Sequence, residues 1–141
     1  IHIVRDPFIV FPSTTRLWHS LHHVQAMQID SEKNTEEYVF KCFDTMYSAF
    51  ERDRVKLKEG QLHEIHYEEL VADPVASMKI AYEKLALGGF EKVRPAFERQ
   101  AESMKGYTTN TYQHDSRIVS EISKRWQPFI QRYGYEQPPI D

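Results

Sequence analysis

The sequence predicts an α/β protein built on a parallel sheet, with about two strands set among mostly helical segments. Two short stretches carry that expectation: the apolar "IHIV" at the start and the partly alternating "LHEIHYEEL" in the middle, the second bounded by Gly60 and by Asp73-Pro74. Long helical stretches separate them, and strands joined by such connections pair in parallel rather than as hairpins. A chain of 141 residues can hold one domain with a real core. Because its first residue already sits in a strand, we expect further strands upstream and read residues 1–141 as the carboxy-terminal part of a single domain.

Each element has its own signal. Behind the opening strand, a helix from about Pro12 to Gln28 repeats apolar side chains at Leu17, Leu21 and Val24, with Trp18 adjacent. "IDSEKN" interrupts it, and Asn34 followed by Glu37 has the spacing of a capping box. The long helix that follows carries Val39, Phe43, Met46 and Phe50, and Gly60 ends it. The second strand runs to about Tyr67. Asp73 and Pro74 are suited to the N-cap and first position of the next helix, with Met78, Ala81, Tyr82 and Leu85 inward and Gly88-Gly89 as its stop. Val93, Phe97 and Ala101 mark a further helix, and "KGYTTNTYQHD" reads as a loop. A last helix from about Ser116 to Tyr133 places Ile118, Ile122, Trp126, Phe129 and Ile130 on one broad side.

Composition narrows the function. Charged residues make up 28% and aromatic residues 13%, and the net charge is −3, which lacks the basic excess of a nucleic-acid surface. No stretch is long and apolar enough to cross a membrane. The single cysteine, Cys42, excludes an internal disulfide framework and favours a reducing cytoplasm; its apolar surroundings predict a buried, inert thiol.

The stretch "IHIVRDPFIVFPS" holds the main chemical signal. In an open parallel sheet, ligands collect at the carboxyl ends of strands, and Arg5 closes such a strand. Asp6-Pro7 is a helix start, but Pro12 removes a donor soon after, so an irregular first turn is expected before the helix resumes near Ser13. A guanidinium, a hydroxyl and free backbone N–H groups together suit a phosphate. The alternative is that Arg5 pairs with a carboxylate and Ser13 only starts a helix. His19, His22 and His23 share a helical face. They lack an acidic ligand at companion spacing, which favours a wet surface or a pocket wall, such as an acceptor site, over a metal.

The pattern "IVRDP…S", with serine eight positions after arginine, resembles the 3′-phosphate-binding motif of sulfotransferases that use 3′-phosphoadenosine-5′-phosphosulfate (PAPS). "FPSTTRLWHSL" is similar to the corresponding helix in bacterial members, "HYEELVADP" to their later strand-to-helix turn, and "W…RYGYE" to their carboxyl end. The resemblance implies a P-loop-NTPase-like sulfotransferase fold, and 3′-phosphate binding by Arg5 and Ser13. It also implies a place for Tyr67 beside adenine, where its ring can stack and its hydroxyl bond; by itself Tyr67 reads as a half-buried strand residue. "MKGYTTN" keeps half of an Arg-Lys-Gly phosphate loop: Met104 replaces the arginine, while Lys105 and Gly106 remain, Lys105 reading equally as a solvated loop lysine.

The expected function is sulfuryl transfer from PAPS to a hydroxyl or amine acceptor, with this segment holding the 3′-phosphate and adenine. In the family the phosphosulfate loop and catalytic base generally precede such a segment, so the catalytic residues are unknown. Neither a metal nor nucleic acid is required. Lipid, saccharide, peptide and small-molecule acceptors all fit. Two other readings use the same residues: a P-loop nucleotide-kinase-like phosphotransferase segment, and a non-enzymatic helical interaction module in which Arg5 and Ser13 are structural.

Overall fold

The structure is a computed structural model that describes residues 1–25, 27, 32–106, 112 and 115–140. The elements in chain order are β1 (His2–Val4), α1 (Pro7–Gln25), α2 (Glu32–Arg54), β2 (Glu64–His66), α3 (Tyr67–Ala72), α4 (Pro74–Lys84), α5 (Phe90–Ser103), α6 (Ser116–Arg125) and α7 (Gln127–Tyr133). They form two compact units, one of Ile1–Arg5 with Asp53–Asn110, the other of Asp6–Arg52 with Thr111–Asp141. The described residues are mostly helical and include a two-stranded parallel sheet, as expected.

In the first unit, β1 and β2 pair in parallel, with His2 opposite Glu64, Ile3 opposite Ile65 and Val4 opposite His66. Val4 and Ile65 are buried. Glu64 accepts from His2 Nδ1 at 3.1 Å and from both terminal nitrogens of Arg54, tying the end of α2 to the sheet. Asp73 caps α4 as expected: its Oδ1 accepts from Ala76 N at 2.9 Å, with Pro74 at the first helical position. Gly89 has φ +66°, a left-handed conformation that only glycine adopts without strain, and from it α5 starts. Ala81 and Phe90 are buried between α4 and α5, with Tyr82 edge-on to Phe90 at 5.4 Å.

The second unit is built around Trp126, 2% exposed. Phe43 stacks on its ring at 3.8 Å between centroids, and Phe40 and Phe11 meet it edge-on at 5.2 and 5.7 Å. Around this cluster, Arg125 makes a two-point ion pair with Glu37, and Arg117 another with Glu36. The Arg125 hydrogen bond holds the Glu37 carboxyl below the ordinary carboxylate range, whereas burial pushes Asp44 up.

Several expectations are corrected. Helix α1 is continuous from Pro7 through Pro12, with no irregular first turn. Asp6 makes this possible: its side chain accepts from Phe8 N at 2.8 Å and its carbonyl from Ile9 N and Val10 N, so Pro12 removes one bond from an already nucleated helix. Its buried residues are Pro7, Phe8 and Phe11, while Leu17 and Val24 are 57% and 80% exposed. In α2, which begins at Glu32, Asn34 lies inside the helix rather than capping it. Val39 and Phe40 are buried, but Met46 is exposed, and so is Cys42, expected to be an inert core thiol. The helix stops at Arg54, before Gly60. Tyr67 opens α3 instead of closing β2. The expected last helix is two helices that meet at Trp126, because Pro128 lacks the N–H that a continuous helix would need there. Most of "KGYTTNTYQHD" lies outside the described residues.

Replacing Trp126 by alanine should lower the unfolding free energy by about 3–5 kcal/mol. Leu17→Ala should stay within about 0.5 kcal/mol, the range for exposed positions. Urea titration followed by circular dichroism measures both.

Candidate functional site

Parallel register brings two of the expected site residues together. Arg5 and Tyr67 are the next residues after the paired Val4 and His66, so both leave the sheet at its carboxyl edge, one from each strand. The Arg5 guanidinium carbon lies 4.1 Å from the centre of the Tyr67 ring. Both side chains are half-buried. A guanidinium this close to a ring gains a cation–π contact and keeps N–H donors for other partners. Among the described residues Arg5 has no carboxylate partner, so the alternative that it serves an ion pair finds no support.

Ser13 lies in the second turn of α1, in the other unit, and is half-buried. Nearby hydroxyls bond back along the helix, Thr15 to the Phe11 carbonyl and Ser20 to the Arg16 carbonyl, each at 3.0 Å. The Ser13 hydroxyl has no such partner among the described residues and is available to a ligand. Ser13 does not start the helix, which begins six residues earlier at Pro7. The simple helix-start reading therefore fails.

Lys105 and Gly106 follow α5 and are exposed. The Lys105 ammonium pairs with Glu102, one turn back. Gly106 has φ +87° and open space where a Cβ would stand, so this turn permits close backbone approach. The rest of that loop lies largely outside the described residues. His22 packs near Trp18 at 5.8 Å and His23 is exposed. Among the described residues, no group of three His, Cys, Asp or Glu side chains is placed to hold a metal.

The His2–Glu64–Arg54 cluster was not anticipated from the sequence. It supports the site, because Glu64 fixes β2 two residues before His66 turns into Tyr67. Its one sequence signal is an acid beside the single apolar residue of the short strand Glu64–His66.

A model of the sulfotransferase family matches residues 1–92, nearly two thirds of the chain. The chain belongs to the sulfotransferase family. The match contains Arg5, Ser13 and Tyr67 and stops before Lys105 and Gly106. Two curated relatives are named omega-hydroxy-beta-dihydromenaquinone-9 sulfotransferase, from Mycobacterium bovis and Mycobacterium tuberculosis. Each is 30% identical over 137 residues, covering 97% of this chain and 35% of the relative. This sulfotransferase-family chain thus spans about a third of the length of those relatives. No solved structure matches it. Among the described residues, no helix is long and apolar enough to cross a membrane.

Glu64→Ala should destabilise the protein by about 2 kcal/mol, since it removes the acceptor for a charge-assisted pair. Glu64→Gln should cost less because its amide oxygen still accepts. Urea melts and hydrogen-exchange protection of the Ile65 amide would read the difference.

Proposed function

We propose that the chain is the adenosine-gripping, carboxy-terminal part of a PAPS-dependent sulfotransferase domain with a P-loop-like fold. The observation that carries this reading is Arg5: a half-buried guanidinium at the carboxyl edge of parallel strands, steadied by Tyr67 and without a carboxylate partner among the described residues. A guanidinium in that setting suits a two-point grip on a phosphate. The "IVRDP…S" motif assigns the Ser13 hydroxyl to the same phosphate, the 3′-phosphate of PAPS. Tyr67 would then stand at the adenine, one ring serving both the arginine and the base. Lys105, on an exposed turn, would exchange Glu102 for the phosphate.

In the reaction, the acceptor oxygen forms a bond to sulfur and gives up its proton to a base outside the residues assigned here, as the bond from sulfur to the 5′-phosphate oxygen breaks and adenosine 3′,5′-bisphosphate leaves. Fixing the far end of the nucleotide aligns the reacting atoms, and binding energy there is used for orientation. The acceptor named in the relatives is a hydroxylated dihydromenaquinone, so of the acceptor classes we favour a lipid alcohol. Family membership favours this reading over a nucleotide kinase and over a helical interaction module.

Arg5→Lys should weaken binding of adenosine 3′,5′-bisphosphate by about 1–3 kcal/mol, because an ammonium cannot reproduce the planar two-point contact. Calorimetry decides it: a folded variant of undiminished affinity would remove Arg5 from the site.

Arg5→Ala and Ser13→Ala should be non-additive, since groups that share a partner couple. Both should also lose preference for PAPS over adenosine 5′-phosphosulfate, which lacks the 3′-phosphate. A double-mutant cycle with both nucleotides tests this, and a retained preference would locate the phosphate elsewhere.

A further inference from the structure

A cavity of about 330 Å³ lies in the second unit, where α1 meets the start of α6. Phe8, Phe11, Val119 and Ile122 give it an apolar lining, and each is almost fully buried. His19 of α1 lines the same cavity. Its Nε2 is buried and makes no hydrogen bond to any described residue. A buried polar nitrogen without a partner is costly, and most such atoms in folded proteins find one. Beside an apolar cavity, a ligand that brings one hydroxyl into it would remove that cost.

The charges at the cavity favour a neutral ligand. Glu36 is neutralised by its two-point pair with Arg117. Asp115 caps α6 through Arg117 N and Ile118 N, and Arg16 balances it in sign. No excess of either charge remains to attract an ion, and the volume is at the lower end of ordinary ligand pockets.

We propose that this cavity binds an amphipathic alcohol, its apolar body against Phe8, Phe11, Val119 and Ile122 and its hydroxyl hydrogen-bonded to Nε2 of His19. The site lies wholly within the second unit and stands independently of the nucleotide reading of Arg5.

The test uses geraniol as the probe and myrcene, the hydrocarbon of the same carbon skeleton, as its control. Nuclear magnetic resonance titration of the isotope-labelled protein should show saturable geraniol binding, with shifts at Phe11, Val119 and Ile122. Myrcene should bind about tenfold more weakly, the value of one net hydrogen bond. His19→Leu should bring the two affinities together, and His19→Gln, which retains a hydrogen-bonding group, should restore part of the preference. Equal affinities for geraniol and myrcene in the parent protein, shifts confined to other residues, or an undiminished preference in His19→Leu would each overturn the proposal. If His19→Leu fails to fold, the parent comparison and His19→Gln decide the matter. A failure of the nucleotide experiments leaves all of these readings unaffected.

Discussion

The parallel pairing of β1 with β2 is the constraint on which the rest of the site depends. Its register, His2 to Glu64 through Val4 to His66, determines that the residues emerging next are Arg5 and Tyr67. A slip of one residue would turn every side chain of the slipped strand to the opposite face. Glu64 resists such a slip from both sides, bonded to the facing His2 and to Arg54 at the end of α2. A three-residue strand pair has little stability of its own. The charged clamp and the buried Val4 and Ile65 therefore bear much of the burden of holding it.

How much was legible in the sequence depended on the range of the interaction. Local signals served well. Asp73-Pro74 capped and opened a helix, and the long connection between two short strands led to parallel pairing. Helical periodicity gave the helices but not always the buried face: Leu17 and Val24 share a spacing, yet the core took Phe8 and Phe11. Nothing local distinguishes two faces when both carry apolar residues. Pro12 and Pro128 show the same limit. The first sits in an uninterrupted helix that Asp6 has already started, while the second accompanies a break that lets Trp126 enter the aromatic cluster.

The candidate site was legible as residues but not as an arrangement. Arg5, Ser13 and Tyr67 were identified by motif resemblance, but the contact of Arg5 with Tyr67 joins residues far apart in sequence and follows only from the register. The availability of Ser13 was likewise hidden. Helical serines and threonines commonly bond back to a preceding carbonyl, as Thr15 and Ser20 do, and no feature of the sequence sets Ser13 apart from them. His19 was one of three neighbouring histidines with a shared reading. The structure separates it from His22 and His23 by burying one of its nitrogens beside a cavity.

The contact of Arg5 with the Tyr67 ring also has an entropic side. A free arginine explores many rotamers, and confining it costs about 2 kcal/mol of conformational freedom. Against the tyrosine ring, much of that freedom is surrendered when the chain folds, before any anion arrives. On the proposed function, a phosphate would meet a side chain already restrained, so less disorder would remain to be lost at the moment of binding. An aromatic residue that offers such a ligand no charge would thereby lower the entropic cost of its capture.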